Sequence, residues 1–241
     1  MTAPRTLGLL GGMSWESTLL YYRALNQGVA ARRGGLASAR VLIASLDFAE
    51  VAALQAAGDW DGCTRVLGSA AAGLRAAGAQ ALMVATNTMH KVAGPVERLG
   101  GLPLLHIADA TGAALRAAGV RDAALLGTRF TMEDRTIVAN RLEAHFGVRT
   151  RVPDAAGRAE VHRIIYDELC RGRVEPAAVT TLAAQIAALA AAGAEAVILG
   201  CTELTMAVTP ASSPLPVFDT TALHAAAGVD WLLDGPEVPP R

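Results

Sequence analysis

The segment Leu199-Gly200-Cys201-Thr202-Glu203 sets a thiol at the end of an apolar run and two residues before a carboxylate. The run reads as a buried strand, and Thr202-Glu203 as a helix start with an acid in its first turn. A thiol in that place feels the positive end of the helix dipole, which lowers its pKa and suits it to proton transfer. An ordinary cysteine, with a pKa of about 8.5, is mostly protonated at neutral pH, so such help matters. The ordinary alternative is a buried structural cysteine. That reading is kept for Cys63 and Cys170, which lie inside helical patterns.

Two further segments carry polar groups at strand ends. In Ala85-Thr86-Asn87-Thr88-Met89-His90, the Asn and Thr side chains and freed backbone N–H groups can hold a carboxylate at a helix start. The same residues can equally be plain helix caps, and His90 either stands behind the turn or is a satisfied helix histidine. Gly8-Leu9-Leu10-Gly11-Gly12-Met13-Ser14 is a glycine-rich strand-to-helix turn. It lacks the Gly-x-Gly-x-x-Gly fingerprint and a Walker lysine, so nucleotide binding is a poor reading. A backbone turn that approaches a small ligand, with Met13 beside it and Ser14 as helix cap, fits better. Gly127-Thr128 is its counterpart further along. The single lysine, Lys91, does not suit a pyridoxal Schiff base, which favours chemistry without a cofactor.

The elements that must position these groups are short apolar runs alternating with longer Ala-rich segments of helical period. Strands are expected over 6–10, 40–45, 81–85, 104–107, 123–126, 196–199 and 217–218. Helices are expected over 15–31, 60–77, 110–118, 160–170 and 177–192. This alternation indicates βαβ units and a parallel sheet buried on both faces. The chain also repeats itself. Ala77–Thr86 matches Ala192–Cys201 at an offset of 115, Leu9-Leu10-Gly11 matches Leu125-Leu126-Gly127 at 116, and Leu102-Pro103-Leu104 matches Leu215-Pro216-Val217 at 113. Three matches in one order imply two related α/β lobes, here 1–101 with 210–241, and 102–209. Ligands of open parallel sheets bind beyond the C-terminal strand ends. Thr86 and Cys201 hold the same place in the two halves, so the repeat predicts that they face one site from opposite sides of a cleft.

Composition excludes other roles. The 241 residues are 52% hydrophobic and 18% charged with a net charge of −1, so a sizeable core forms and no basic stripe serves nucleic acid. No apolar stretch reaches the roughly 20 residues that span a bilayer. Three scattered cysteines and no Cys-x-x-Cys argue against a disulfide framework or a metal site. The expectation is a cytoplasmic protein without metal, nucleic-acid or membrane partners.

Leu9–Ser14, Asn87-Thr88-x-His90, Leu126-Gly127-Thr128 and Gly200–Glu203, in this order and spacing, resemble the aspartate/glutamate racemase family over essentially the whole chain. Gly12–Thr18 and Thr86–His90 are most like its broad-specificity amino-acid racemase branch. The resemblance implies two pseudo-symmetric doubly wound lobes, a homodimer, and pyridoxal-independent inversion at Cα that yields D-amino acids. Two thiols would then flank the substrate carbon, one taking the proton and one returning it to the other face. Substrate contacts would come from Met13, Ser14, Gln55, Asn87, Thr88, Thr128, Thr202 and Glu203.

The chain departs from the family pattern at Thr86, where the first thiol belongs. A hydroxyl is a far weaker acid, so catalysis is expected to favour one enantiomer, with Cys201 the competent base. No arginine stands in Ser45–Glu50 to meet a side-chain carboxylate; Arg158 and Gln55 are the available candidates. Two rival readings remain. One is a single-cysteine decarboxylase or cis-trans isomerase on the same scaffold, and the other is a two-lobed amino-acid binder without turnover.

Overall fold

The computed structural model describes residues 5–233. They form two compact units, one running to His106 and resuming at His224, the other Ile107–Leu223.

The first unit is built on β1 (Leu7–Gly11), α1 (Trp15–Arg33), β2 (Val41–Ser45), α2 (Phe48–Ala56), α3 (Trp60–Ala76), β3 (Ala81–Val84) and α4 (Ala93–Gly100), with a 3-10 turn over Thr88–Val92. Its sheet is parallel, in the order β2-β1-β3. Side chains alternate across it. Leu10, Leu82 and Val84 pack against α3 and α4, whereas Leu7, Leu9 and Met83 pack against Tyr21 and Leu25 of α1 and Val229 of the C-terminal helix. Burial on both faces accounts for the unbroken apolar runs.

The second unit contains α5 (Ile107–Ala117), β4 (Asp122–Gly127), α6 (Arg129–Glu133), α7 (Ala139–Phe146), β5 (Arg149–Arg151), α8 (Ala155–Arg163), α9 (Pro176–Ala191), β6 (Ala196–Gly200) and β7 (Val217–Asp219). The last helix, α10 (Thr220–Leu233), begins here and continues from His224 in the first unit. The parallel sheet runs β5-β4-β6-β7. Ala124, Leu126, Val197 and Leu199 face α8 and α9; Ala123, Leu125, Ala196 and Ile198 face α5 and α7. The two sheets share one winding order, as the internal repeat implies, and the fold is a pair of doubly wound α/β lobes.

Several elements differ from expectation. Residues 104–107 do not make a strand: Leu104 contributes one bridge to Leu82, and α5 starts at Ile107. β5 is a short, polar edge strand, Arg149–Arg151. It is held through its backbone and by Arg151, whose Nε and Nη2 donate to the buried Asp122 carboxylate at 2.7 and 2.8 Å. The helix expected over 160–170 begins earlier, at Ala155, and gives way to a π-helical turn over Ile164–Glu168. Residues 102–106 lie with the first unit, because Leu82 N–H donates to Pro103 O and Leu105 N–H to Leu82 O. Residues 210–223 lie with the second, where Val217–Asp219 pairs with β6. Among the described residues no helix is long and apolar enough to cross a membrane.

Candidate active site

In the second lobe the pairing Gly127↔Gly200 brings the C-terminal ends of β4 and β6 level, and Thr128 and Cys201 follow directly. Glycine at both positions eases this approach. A Cβ on Gly200 would come within 3.0 Å of Leu126 O, and one on Gly127 within 3.0 Å of Gly200 O. Thr128 caps α6, accepting from Thr131 N–H at 3.4 Å. Cys201 is buried and starts a 3-10 turn over Thr202–Met206.

The thiol departs from expectation. Cys201 Sγ donates to Glu203 Oε2 at 2.9 Å. Burial pushes its pKa well above the ordinary value, and the Glu203 carboxylate adds to the rise both as a charge and as the acceptor that holds the proton. The anticipated lowering by a helix dipole therefore fails. The element after Cys201 is a five-residue 3-10 turn in which the cysteine makes no side-chain cap, and a carboxylate in contact outweighs weak backbone dipoles. At rest Cys201 is a protonated thiol with a built-in proton acceptor.

Sequence reasoning missed the groups around this thiol. The π-turn carries Tyr166, which packs against the core cluster that includes Cys201. Its phenol is pushed up to about 12 by burial, with smaller contributions from Cys201, Cys170 and Glu203. His162, one turn earlier, lies with its ring centroid 4.5 Å from that of Tyr166 and accepts from Arg129 N–H through Nδ1 at 3.2 Å. π-turns recur at functional positions, and only the i, i+4 spacing of His162 and Tyr166 hints at this pair in the sequence. Asp219, opposite Leu199 at the end of β7, has its carboxyl pKa raised by burial. Arg158 is already engaged, its Nε on Glu133 Oε1 at 3.1 Å and its Nη1 on Pro153 O at 2.8 Å.

In the first lobe the turns after β1 and β3 are adjacent, because the strands pair from Leu7↔Ala81 to Leu10↔Val84. Gly12 has φ +85, and a Cβ there would sit 2.1 Å from Leu46 O, so this turn admits only glycine. Thr18 Oγ1 accepts from Gly12 N–H at 2.8 Å and donates to Ser14 O at 2.9 Å, while Ser14 caps α1 by accepting from Ser17 N–H at 3.3 Å. Met13 is buried with Leu10, Val84 and Met89. Thr86 is half-buried; Asn87 and Thr88 are buried and open the 3-10 turn. Gln55 is buried, its Nε2 on Met89 Sδ at 2.9 Å.

His90 stands behind this turn, Nδ1 bonded to Thr86 O at 2.8 Å. Its ring meets those of His106 and His224, with centroids at 4.6 and 5.6 Å. His224 bonds Tyr21 Oη through Nδ1 at 2.9 Å and Leu105 O through Nε2 at 2.8 Å. Burial, then the neighbouring His90, lowers its pKa to about 3. Thr86 thus rests, through His90, on the buried imidazole of His224. The lobes resemble each other locally, since Thr86 and Cys201 come after the equivalent strands β3 and β6, each paired with the first strand of its lobe, and each precedes a 3-10 turn. The first lobe holds Met13, Ser14, Thr86, Asn87 and Thr88 together, and the second holds Thr128, Cys201, Thr202 and Glu203. No group of His, Cys, Asp and Glu suited to a metal ion occurs among the described residues.

Comparison with known proteins agrees with this fold. A solved structure of a candidate Asp/Glu racemase from Yersinia pestis is 47% identical, with a TM-score of 0.90 over 95% of this chain and 100% of that one. An aspartate racemase homologue from Pyrococcus horikoshii is 31% identical, with a TM-score of 0.81 over 95% of this chain and 99% of its own. The aspartate racemase of Picrophilus torridus, 18% identical with a TM-score of 0.73 over 95% and 94% of the two chains, shares the fold. The family described as Asp/Glu/hydantoin racemase matches residues 10–228, and the chain belongs to it.

Proposed function

We propose that the protein is a pyridoxal-independent amino-acid racemase that inverts Cα, with Cys201 acting on one face of the substrate and Thr86 on the other. The observation that carries this reading is the Cys201–Glu203 hydrogen bond at a strand end whose counterpart in the other lobe bears Thr86. When substrate enters, Glu203 takes the thiol proton, and the thiolate then abstracts the proton on Cα. Thr86 delivers a proton to the opposite face. Water resupplies Thr86, and Glu203 returns its proton to solvent, which resets the site. Asn87, Thr88, Thr128 and Thr202 supply donors for the α-carboxylate, whose developing enediolate must be stabilised.

Lys91, the only lysine, lies over the Trp60 ring at 4.7 Å, a cation–π contact that fits a structural role and not a Schiff base. Three free cysteines suit a reducing cytoplasm. Exposed Trp15, Leu19 and Tyr22, spaced i, i+4, i+7 on α1, support a homodimer. The test is deuterium uptake at Cα in D2O across L- and D-amino acids, with chiral chromatography of the products. Exchange with inversion is expected. Tight binding without exchange, or release of CO2 from a malonate in its place, would overturn the proposal.

A further inference from the structure

The internal repeat sets Thr86 against Cys201 at an offset of 115, and the same offset sets His90 against Thr205. The two turns are fastened differently at these places. In the second lobe Cys201 O accepts from the backbone N–H of Leu204 at 3.2 Å, and Thr205 Oγ1 donates to Thr202 O at 2.8 Å. In the first lobe a side chain reaches the equivalent carbonyl, His90 Nδ1 bonding Thr86 O at 2.8 Å. A carbonyl oxygen only accepts, so Nδ1 carries the hydrogen.

The His90 ring is fixed from behind. It is buried, and the rings of His106 and His224 meet it edge-on with centroids at 4.6 and 5.6 Å. His224 is itself held at both nitrogens. Its Nε2–H donates to Leu105 O at 2.8 Å, and its Nδ1 accepts from the Tyr21 hydroxyl at 2.9 Å. One neutral tautomer satisfies both contacts, which leaves the ring a single orientation. Leu105 N–H in turn donates to Leu82 O at 2.9 Å, and Leu82 belongs to β3. These contacts close a circuit within the first unit. β3 fixes Leu105, Leu105 fixes His224, His224 backs His90, and His90 grips the carbonyl two residues past the end of β3.

Peptide planarity carries the constraint forward. The Thr86–Asn87 peptide is trans, so the Thr86 C=O and the Asn87 N–H share one plane and point in opposite directions. Holding the oxygen fixes the direction of that N–H and the backbone frame from which the Thr86 hydroxyl projects.

We infer that His90 is a positioning residue for the first-lobe half of the reaction, holding the Thr86–Asn87 peptide through Nδ1–H so that the Thr86 hydroxyl meets the substrate carbon. This rests on the racemase reading, in which Thr86 serves one face and Cys201 the other. His90 itself exchanges no proton with substrate. Cys201 stands outside the circuit and can exchange Cα hydrogen alone, by returning a solvent deuteron to the face it deprotonated. Inversion needs Thr86 as well. His90 therefore bears on inversion and not on exchange.

The experiment separates the two in D2O. Starting from the enantiomer that exchanges faster, total deuterium uptake at Cα is read by mass spectrometry and inversion by chiral chromatography. The proteins are wild type, His90→Asn, His90→Gln and His90→Leu. Asparagine carries its amide nitrogen as many bonds from Cα as histidine Nδ1, whereas glutamine carries it one bond further. In His90→Gln and His90→Leu the ratio of inversion to exchange should fall roughly 10- to 100-fold, the scale set by displacing a reacting group about 1 Å. His90→Asn should recover most of the ratio. A histidine that only packs would lower inversion and exchange together and would not tell asparagine from glutamine; either result overturns the inference. A second arm needs no turnover. Long-range 1H–15N correlation spectra of the ring nitrogens should show hydrogen on His90 Nδ1, and a bare Nδ1 overturns the inference. Wild type that exchanges or binds without inverting overturns the racemase reading, and the role of His90 with it. Inversion by wild type with an unchanged ratio in His90→Gln overturns the role of His90 alone.

Discussion

Neutralising Glu203 tests the proton acceptor built into the site, and it should do two opposed things at once. In Glu203→Gln the side chain keeps its size but loses the charge that raises the Cys201 pKa and the strong acceptor that holds its proton at 2.9 Å. Two unit charges about 4 Å apart interact by about 4 kcal/mol at an effective dielectric near 20. If relaxation and solvent absorb half, about 2 kcal/mol remains, or roughly a thirtyfold gain in thiolate at fixed pH below the pKa. Alkylation of Cys201 by iodoacetamide, followed against pH with Cys63 and Cys170 mapped separately by mass spectrometry, should accelerate by about that factor. Turnover should instead fall about a hundredfold or more, because the group that accepts the thiol proton is gone. A thiol that reacts more readily while the enzyme slows is not what a structural carboxylate would produce. If alkylation of Cys201 is unchanged or slower, Glu203 does not hold the thiol proton and the reasoning fails.

Thr86→Cys supplies the second thiol. Cα exchange from the slower enantiomer should rise at least about tenfold, since a thiol is far closer to neutral pH in acidity than a hydroxyl; no gain would mean that Thr86 does not face the substrate carbon. The buried His224 makes stability depend on pH. Its folded-state pKa of about 3 lies below the ordinary value near 6.5, so the unfolded chain binds the proton more readily between those limits. Stability then drops as pH falls through that window, by about 2 kcal/mol between pH 7 and 5. Urea titrations of wild type and His224→Asn should show the smaller pH dependence in the variant, and equal slopes would contradict the account.

Much of the framework was legible in the chain because parallel strands buried on both faces must read as continuous apolar runs, and because a repeated lobe repeats its turns. The match of Ala77–Thr86 to Ala192–Cys201 carries the equivalence of β3 and β6 in the sequence itself. What was hidden has physical reasons. β5 is three residues, Arg149-Thr150-Arg151, joined to its neighbour by backbone hydrogen bonds that no apolar pattern betrays. Residues 104–107 look like a strand, but the chain turns into α5 after a single bridge. The sequence pattern suggests a helix dipole at the thiol and shows Glu203 only as a feature of the helix start. At two residues' distance the carboxylate reaches back to Sγ and reverses the sign of the shift. The Arg129 backbone, His162 and Tyr166 meet only through the packing of α8 on α6 and a π-turn, which periodicity does not reveal.

The central claim is that one thiol works on one face and a hydroxyl on the other. The most direct test follows Cα deuterium uptake in D2O from the separate enantiomers of the best substrate, in wild type and Cys201→Ala. The account predicts fast exchange from one enantiomer, slow exchange from its mirror image, and loss of both in the variant. Equal rates from the two enantiomers, or activity that survives removal of the thiol, would contradict it.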